Sequence, residues 1–216
     1  MILAAGRGER MAELTKHTPK PLLKVGKHYL IDFSIRSLVK AGISDIVINV
    51  SYHADQIKDA LGNGARYGVN IFYSEEKERL ETGGGIVNAL PLLGADPFVV
   101  LSCDVITDFP LDKLTKIPAG LAHLVVVTNP PYHARGDFGL HEGRLNFETS
   151  PTFTFANIGV YKPELFANCE SGHFRLTKLL LPAISAGQMT GEHYHGVWHN
   201  VGTPEDLAIV NKQFSL

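Results

Sequence analysis

"FVVLSCD", residues 98–104, sets four apolar side chains in a row and ends on a carboxylate. An unbroken apolar run of this length, with no polar alternation, suits a strand covered on both faces, as in a parallel sheet packed between helices. Such a strand delivers Asp104 at its carboxyl end, where open α/β sheets bind their ligands.

Working outward, strand and helix patterns alternate. Upstream lie a minimal strand at residues 1–5, a helix in "YLIDFSIRSLVKAG" (29–42) and the strand "DIVINV" (45–50). In that helix Leu30, Phe33 and Leu38 share a stripe and Gly42 supplies the stop. A short helix "ADQIKDALGNG" (54–64) and the strand "VNIFYS" (69–74) complete a β-α-β-α-β series, and "ETGGGIVNALPLL" (81–93) reads as a glycine loop feeding a helix. Downstream, "LAHLVVVT" (121–128) is another strand, while residues 137–162 break into shorter, more antiparallel pieces, with a hairpin around Glu142 and Gly143. "LTKLLLPAISAG" and "TPEDLAIVNKQF" close the chain as helices; Thr203 is the N-cap of the second, Pro204 its first residue and Asp206 the partner in a capping box. The expectation is one α/β domain over residues 1–216, its mostly parallel sheet flanked by helices on both faces.

Composition narrows the function. Of 216 residues, 44% are hydrophobic and 19% charged, and the net charge is −2, so no basic excess exists to neutralise a nucleic-acid backbone or an anionic membrane. Two cysteines, Cys103 and Cys169, make no disulfide framework and have no metal-site spacing. No signal peptide and no run near the ~20 apolar residues of a membrane span is present. A soluble, cytoplasmic protein, monomeric or a small homo-oligomer, is expected.

Chemistry concentrates after strands. "ILAAGRGERM" (2–11) follows the first strand with two glycines and two arginines, yet lacks the Gly-Lys-Ser/Thr of a P-loop and the third glycine of a dinucleotide fingerprint. What it offers is a turn whose N–H groups cradle phosphate oxygens, with Arg7 and Arg10 as fixed cations; the plainer alternative is a tight turn with solvated arginines. Lys20, between Pro19 and Pro21, is a cation of restricted direction or part of a rigid surface turn. Asp104 suits Mg²⁺ or caps a following helix, and Asp108 either pairs with it or caps a helix near Pro110. Gly83, Gly84 and Gly85 either admit the edge of a base or form a flexible loop. His193, His195 and His199 fall on one face of a continuous strand, which raises a zinc site against the alternative that His193 or Tyr194 touches substrate.

Leu3-Ala4-Ala5-Gly6 with Gly8 and Arg10, followed by Pro19-Lys20-Pro21-Leu22, resembles the signature of the sugar-1-phosphate nucleotidylyltransferases, and the likeness extends over nearly the whole chain. Within that family "ETGGGI", "LPLLG", "RGDF", "GEHYHGVW" and "VGT" look like the N-acetylmuramate-1-phosphate uridylyltransferase branch. The resemblance implies a Rossmann-like mixed sheet and transfer of a nucleoside monophosphate from an NTP onto a sugar 1-phosphate. It implies Arg10, Lys20 and Asp104 as catalytic residues, and Leu3, Ala4, Ala5, Gly6, Gly8, Gly83 and Gly84 as the nucleotide site. Gly136, Asp137, Asn157, Glu192 and His193 would line the sugar side, with Mg²⁺ as cofactor on Asp104 and Asn200. Two positions depart from the family pattern. Cys103 stands where glycine is common, and Asn200 stands where a second metal aspartate is common; its carbonyl oxygen is neutral. Nothing like a second, left-handed β-helix domain follows, which speaks against the bifunctional acetyltransferase type. Open alternatives are a mannose-1-phosphate guanylyltransferase or other hexose-1-phosphate enzyme, a glycosyltransferase using a finished nucleotide sugar, and a non-catalytic nucleotide-sugar-binding homologue.

Overall fold

The computed structural model describes residues 1–116 and 120–214. In chain order its strands are β1 (Ile2–Leu3), β2 (Lys24–Val25), β3 (His28–Tyr29), β4 (Asp45–Val50), β5 (Asn70–Glu75), β6 (Phe98–Ser102) and β7 (Val105–Thr107). Then come β8 (Ala122–Val127), β9 (Phe138–His141), β10 (Arg144–Asn146), β11 (Thr152–Tyr161), β12 (Met189–Tyr194) and β13 (Trp198–Asn200). The α-helices are α1 (Leu30–Lys40), α2 (Ala54–Leu61), α3 (Glu81–Leu93), α4 (Thr177–Ser185) and α5 (Pro204–Phe214).

Nine strands form one sheet in the order β5-β4-β1-β6-β11-β8-β12-β10-β9. Neighbours among β5, β4, β1 and β6 are parallel. The long strand β11 then runs antiparallel to both β6 and β8, β12 is parallel to β8, and β9 curls back to pair with β11 as well as β10. The sheet is therefore mixed and flanked by helices, as expected, but not mostly parallel: among the described residues four of its pairings are parallel and five antiparallel.

The apolar run of β6 has its physical reason in this layering. Val99 and Leu101 point into a core shared with Ile31 and Ile35 of α1 and Ile57 of α2. Phe98 and Val100 point into the opposite core, with Ile86 and Ala89 of α3 and Leu180 and Ile184 of α4. The hairpin turn is also as read: Glu142 and Gly143 both take positive φ, 48° and 73°, as a two-residue turn of this twist requires. Thr203 and Asp206 exchange cap bonds at the start of α5, where Asp206 N donates to Thr203 Oγ1 at 3.2 Å and Thr203 N to Asp206 Oδ2 at 2.9 Å. No helix among the described residues is long and apolar enough to cross a membrane.

Four further expectations need correction. Strand β1 stops at Leu3 because the next N–H, that of Ala4, leaves the ladder and donates to Asn49 Oδ1 at 2.8 Å. On α1, Leu30 and Leu38 are buried as read, together with Ile31 and Ile35, whereas Phe33 is half-buried and packs edge-on against Phe214. Asp104 and Asp108 cap no helix, since β7 follows Asp104 and the short 3₁₀ turn at Leu111–Lys116 begins beyond Pro110. Finally, the triple glycine is not a loop: α3 begins at Glu81, and all three glycines are buried in its first turns.

Candidate active site

The turn after β1 is shaped by Gly8, in the left-handed region at φ 68°. A Cβ there would also stand 3.0 Å from Lys20 Cβ and Thr15 Cγ2, so glycine serves both the turn and the passage of the lysine. Met11 N closes onto Gly8 O at 2.8 Å and the Thr15 hydroxyl donates to the same carbonyl at 3.0 Å. Lys20 opens a 3₁₀ turn between its two prolines and is only 8% exposed. Its ammonium sits on the Asp104 carboxylate at the end of β6. The post-strand acid and the proline-flanked cation thus meet across 84 residues of sequence.

Around this pair the cleft has two lobes. One, of about 350 Å³, is lined by Ala5, Gly6, Arg7, Gly8, Lys20 and Asp104 among others. The other, of about 420 Å³, is walled by Asp137, Phe155, Asn157, Trp198 and Asn200. Leu3, Arg10, Thr82 and Ser102 border both, so the lobes communicate. Arg10 holds this junction with its guanidinium over Gly202, where a Cβ would lie 3.1 Å from Nη1.

Asn200 reaches the cleft through the β7–β13 ribbon. It pairs with Val105, and Val201 N donates to Asp104 O at 2.9 Å, which sets Asn200, at the end of β13, beside the turn that carries Asp104 into β7. Among the described residues no three His, Cys, Asp or Glu side chains gather to hold an ion on their own. A carboxylate and a neutral amide oxygen beside an open lobe nevertheless fit Mg²⁺, which takes few protein oxygens and fills its shell with water and phosphate. Burial, with the neighbouring Asp104 charge, pushes the Cys103 thiol up, so the residue beside the carboxylate is a neutral apolar filler.

Six expected residues lie outside the walls of both lobes. Gly83 and Gly84 donate their N–H groups to Phe174 O, at 3.0 and 3.1 Å. A Cβ on Gly83 would meet the Phe174 ring at 2.4 Å and one on Gly84 the carbonyl of Gly172 at 2.0 Å. Their bareness admits the 172–176 segment. Gly136 turns under Asn129 with φ 60°, and Glu192 faces His123 at 3.5 Å. His193 is wedged between Phe153 and His195, with ring centroids 4.2 and 3.9 Å away. Burial first, and His195 second, lower its pKa. Ala4 is likewise buried, its N–H spent on Asn49. The one-face alignment of the three histidines fails because the chain leaves β12 after Tyr194 and turns, carrying His199 to β13. Asp108 is drawn into that turn by Tyr194 OH and by Val197 N at 2.7 Å, and the tyrosine bond holds its carboxyl below the usual range.

Asp137 and Asn157 do line the second lobe. Asp137 is braced there by Phe155 N at 2.8 Å and His133 Nε2 at 3.0 Å. Trp198 is fixed as a wall by donating Nε1–H to Ala156 O at 3.0 Å.

Sequence reading missed Asn49 and Glu76, which line the first lobe. Asn49 accepts from Ala4 N and donates to Glu76 Oε1 at 2.7 Å, while Leu80 N donates to Glu76 Oε2 at 3.2 Å. Burial raises the Glu76 pKa, since only neutral donors meet its charge. Both residues were detectable by position, because each stands at or just past the end of an apolar strand. Gly85 completes the set: a Cβ there would press Glu76 Oε1 at 2.5 Å.

The cleft therefore joins a glycine turn, a lysine–aspartate pair at a strand end and a bridging arginine to a second, partly aromatic lobe. Comparison with known proteins agrees. The model of the family described as nucleotidyl transferase matches residues 1–215. An N-acetylmuramate alpha-1-phosphate uridylyltransferase of Neisseria meningitidis is 44% identical, over 94% of this chain and 92% of its own length. A mannose-1-phosphate guanylyltransferase catalytic subunit beta of Xenopus tropicalis is 29% identical over 96% of this chain and 62% of its own. The solved structure of HddC from Yersinia pseudotuberculosis complexed with GMP-PN superposes with a TM-score of 0.82 at 22% identity, covering 99% of this chain and 97% of that one. With matching motifs, matching fold and a family model that spans almost every residue, the chain belongs to the nucleotidyl transferase family.

Proposed function

We propose that the chain transfers a uridylyl group from UTP to N-acetylmuramate 1-phosphate and releases pyrophosphate, as a cytoplasmic, Mg²⁺-dependent enzyme. The observation that carries this reading is Lys20 on Asp104 at the end of β6, beside the glycine turn and next to Arg10 at the neck between the lobes. The substrate pair follows the 44% identical relative.

In the reaction an oxygen of the sugar phosphate attacks the α-phosphorus of UTP in line, a new P–O bond forms and the bond to the β-phosphate oxygen breaks. Both reactants are anions, so the task is to hold them together against repulsion; no covalent nucleophile on the protein is required. The turn N–H groups and Arg7 receive the triphosphate, Arg10 faces the phosphates of both substrates, and Lys20 swings from Asp104 to the departing charge. Asp104, with the Asn200 amide oxygen, would hold Mg²⁺, which supplies charge neutralisation at the phosphates when bound. Asp137, Asn157 and Trp198 give the sugar polar partners and an apolar platform.

Incubating the purified protein with UTP, Mg²⁺ and N-acetylmuramate 1-phosphate releases pyrophosphate under this reading. Turnover with GTP and mannose 1-phosphate, and none with the uridine pair, replaces it with the guanylyl reading that the 29% identical relative favours.

A further inference from the structure

The first lobe has a fourth basic side chain in its wall besides Arg7, Arg10 and Lys20, namely Arg79. It lies between two carboxylates, with Glu81 Oε1 at 2.8 Å from Nη2 and Glu9 Oε1, on the glycine turn, at 3.8 Å from Nη1. Glu81 has other partners besides Arg79, since His173 at 3.7 Å and Arg175 at 3.9 Å face the same carboxylate. Glu81 also holds the left-handed backbone conformation, φ 59°, that glycine would take without strain. A glutamate kept there retains a carboxylate at the lobe mouth at a backbone cost.

We infer that Arg79 is a phosphate-binding residue parked on Glu81, which an arriving triphosphate takes over. The inference rests on reading the first lobe as the nucleotide site. Exchange is easy for three reasons. The Arg79 side chain is 58% exposed, so its pairs are screened by water and weak. Glu81 keeps His173 and Arg175 after the arginine leaves. A triphosphate, finally, offers the planar guanidinium fork pairs of terminal oxygens and more negative charge than one carboxylate shared three ways.

The test is a mutant cycle read with two probes: UTP in turnover, and inorganic triphosphate with Mg²⁺ in calorimetric binding. Arg79→Ala raises the KM for UTP about tenfold, the worth of one charge-assisted hydrogen-bonding group, with kcat and the sugar phosphate KM within about twofold. Arg79→Lys recovers part of that loss. Glu81→Gln acts in the opposite direction and lowers the UTP KM by about threefold, because the parked arginine is released. In the Arg79→Ala background Glu81→Gln changes nothing. Melting temperatures equal to wild type separate these effects from misfolding.

A UTP KM unmoved by Arg79→Ala, or a Glu81→Gln gain of equal size with and without Arg79, overturns the inference. The second result would mean that Glu81 acts only through its field. If inorganic triphosphate binding follows the cycle while UTP is not turned over, Arg79 stands and the uridylyl reading falls. If UTP is turned over and neither probe responds, the reverse holds.

Discussion

The two halves of the sheet build their parts of the cleft differently. In β5, β4, β1 and β6 every neighbour is parallel, and three parts of the site arrive just past a strand: the glycine turn after β1, Glu76 after β5, Asp104 after β6, with Asn49 beside them near the end of β4. In the half made by β8 to β12, the site residues come from within or beside antiparallel pairings. Asn157 lies in the middle of β11, where the register with β8 shifts between Phe155 and Gly159, and its φ is 58°. The first half thus positions charge at strand ends; the second shapes a wall by bending one long strand. Under the proposed reading, chemistry belongs to the parallel half and fit to the mixed half.

That division breaks or sharpens under substitution. The largest effect is expected at the strand-end pair. Lys20→Ala cuts turnover by about 10²–10³-fold, the usual worth of one preorganised charge-stabilising group, measured as pyrophosphate release at saturating substrates. A loss confined to KM would move Lys20 to the side of fit and blur the distinction.

Next comes the seam between the halves. Gly84→Ala drives a methyl toward the Gly172 carbonyl, backbone against backbone, and lowers stability by about 2–3 kcal/mol in denaturant titration. Gly42→Ala is its control, with φ 79° and open space around the added atom, and costs about 1 kcal/mol. Equal costs at the two sites would show that the 172–176 segment yields easily.

In the mixed half, Asn157→Ala raises the KM for the sugar phosphate about tenfold while leaving that for UTP in place, as loss of one polar contact in a fitted wall predicts. The smallest effect is expected at Glu76. Its folded pKa is raised by burial, so between the ordinary glutamate value near 4.3 and that raised value the native state holds more protons than the unfolded chain. Wild-type stability therefore falls as pH rises through that window, and the cost is fully present above it. Glu76→Gln removes this slope, so its melting temperature gains on wild type with rising pH.

Legibility in the sequence follows the same divide. Asp104 and Lys20 announce themselves, one by ending an apolar run and the other by its flanking prolines, because strand-end loops carry local punctuation. Gly83 and Gly84 signal close approach, but what approaches is Phe174 and Gly172, some 90 residues away, and no local pattern names a distant partner. Asn157 is reached only through the family resemblance, because a bulge leaves the alternation of β11 almost intact on either side and no local pattern marks it. The histidines misled for the opposite reason: "EHYHGVWH" alternates well enough for one strand, and the turn after Tyr194 is set by Asp108 from another element.

Helix α5 has a consequence for how the protein comes into being. Asn211 accepts from Gly26 N at 2.8 Å and donates to Lys24 O at 3.1 Å, and Gly202 lies directly beneath Arg10. Segments made early are thus clasped by segments made later. During synthesis the parallel strands have partners early, but the neck of the cleft waits for residues 202–211 to leave the ribosome. The parallel strands of a nascent chain thus have their neighbours before the neck of the cleft is complete.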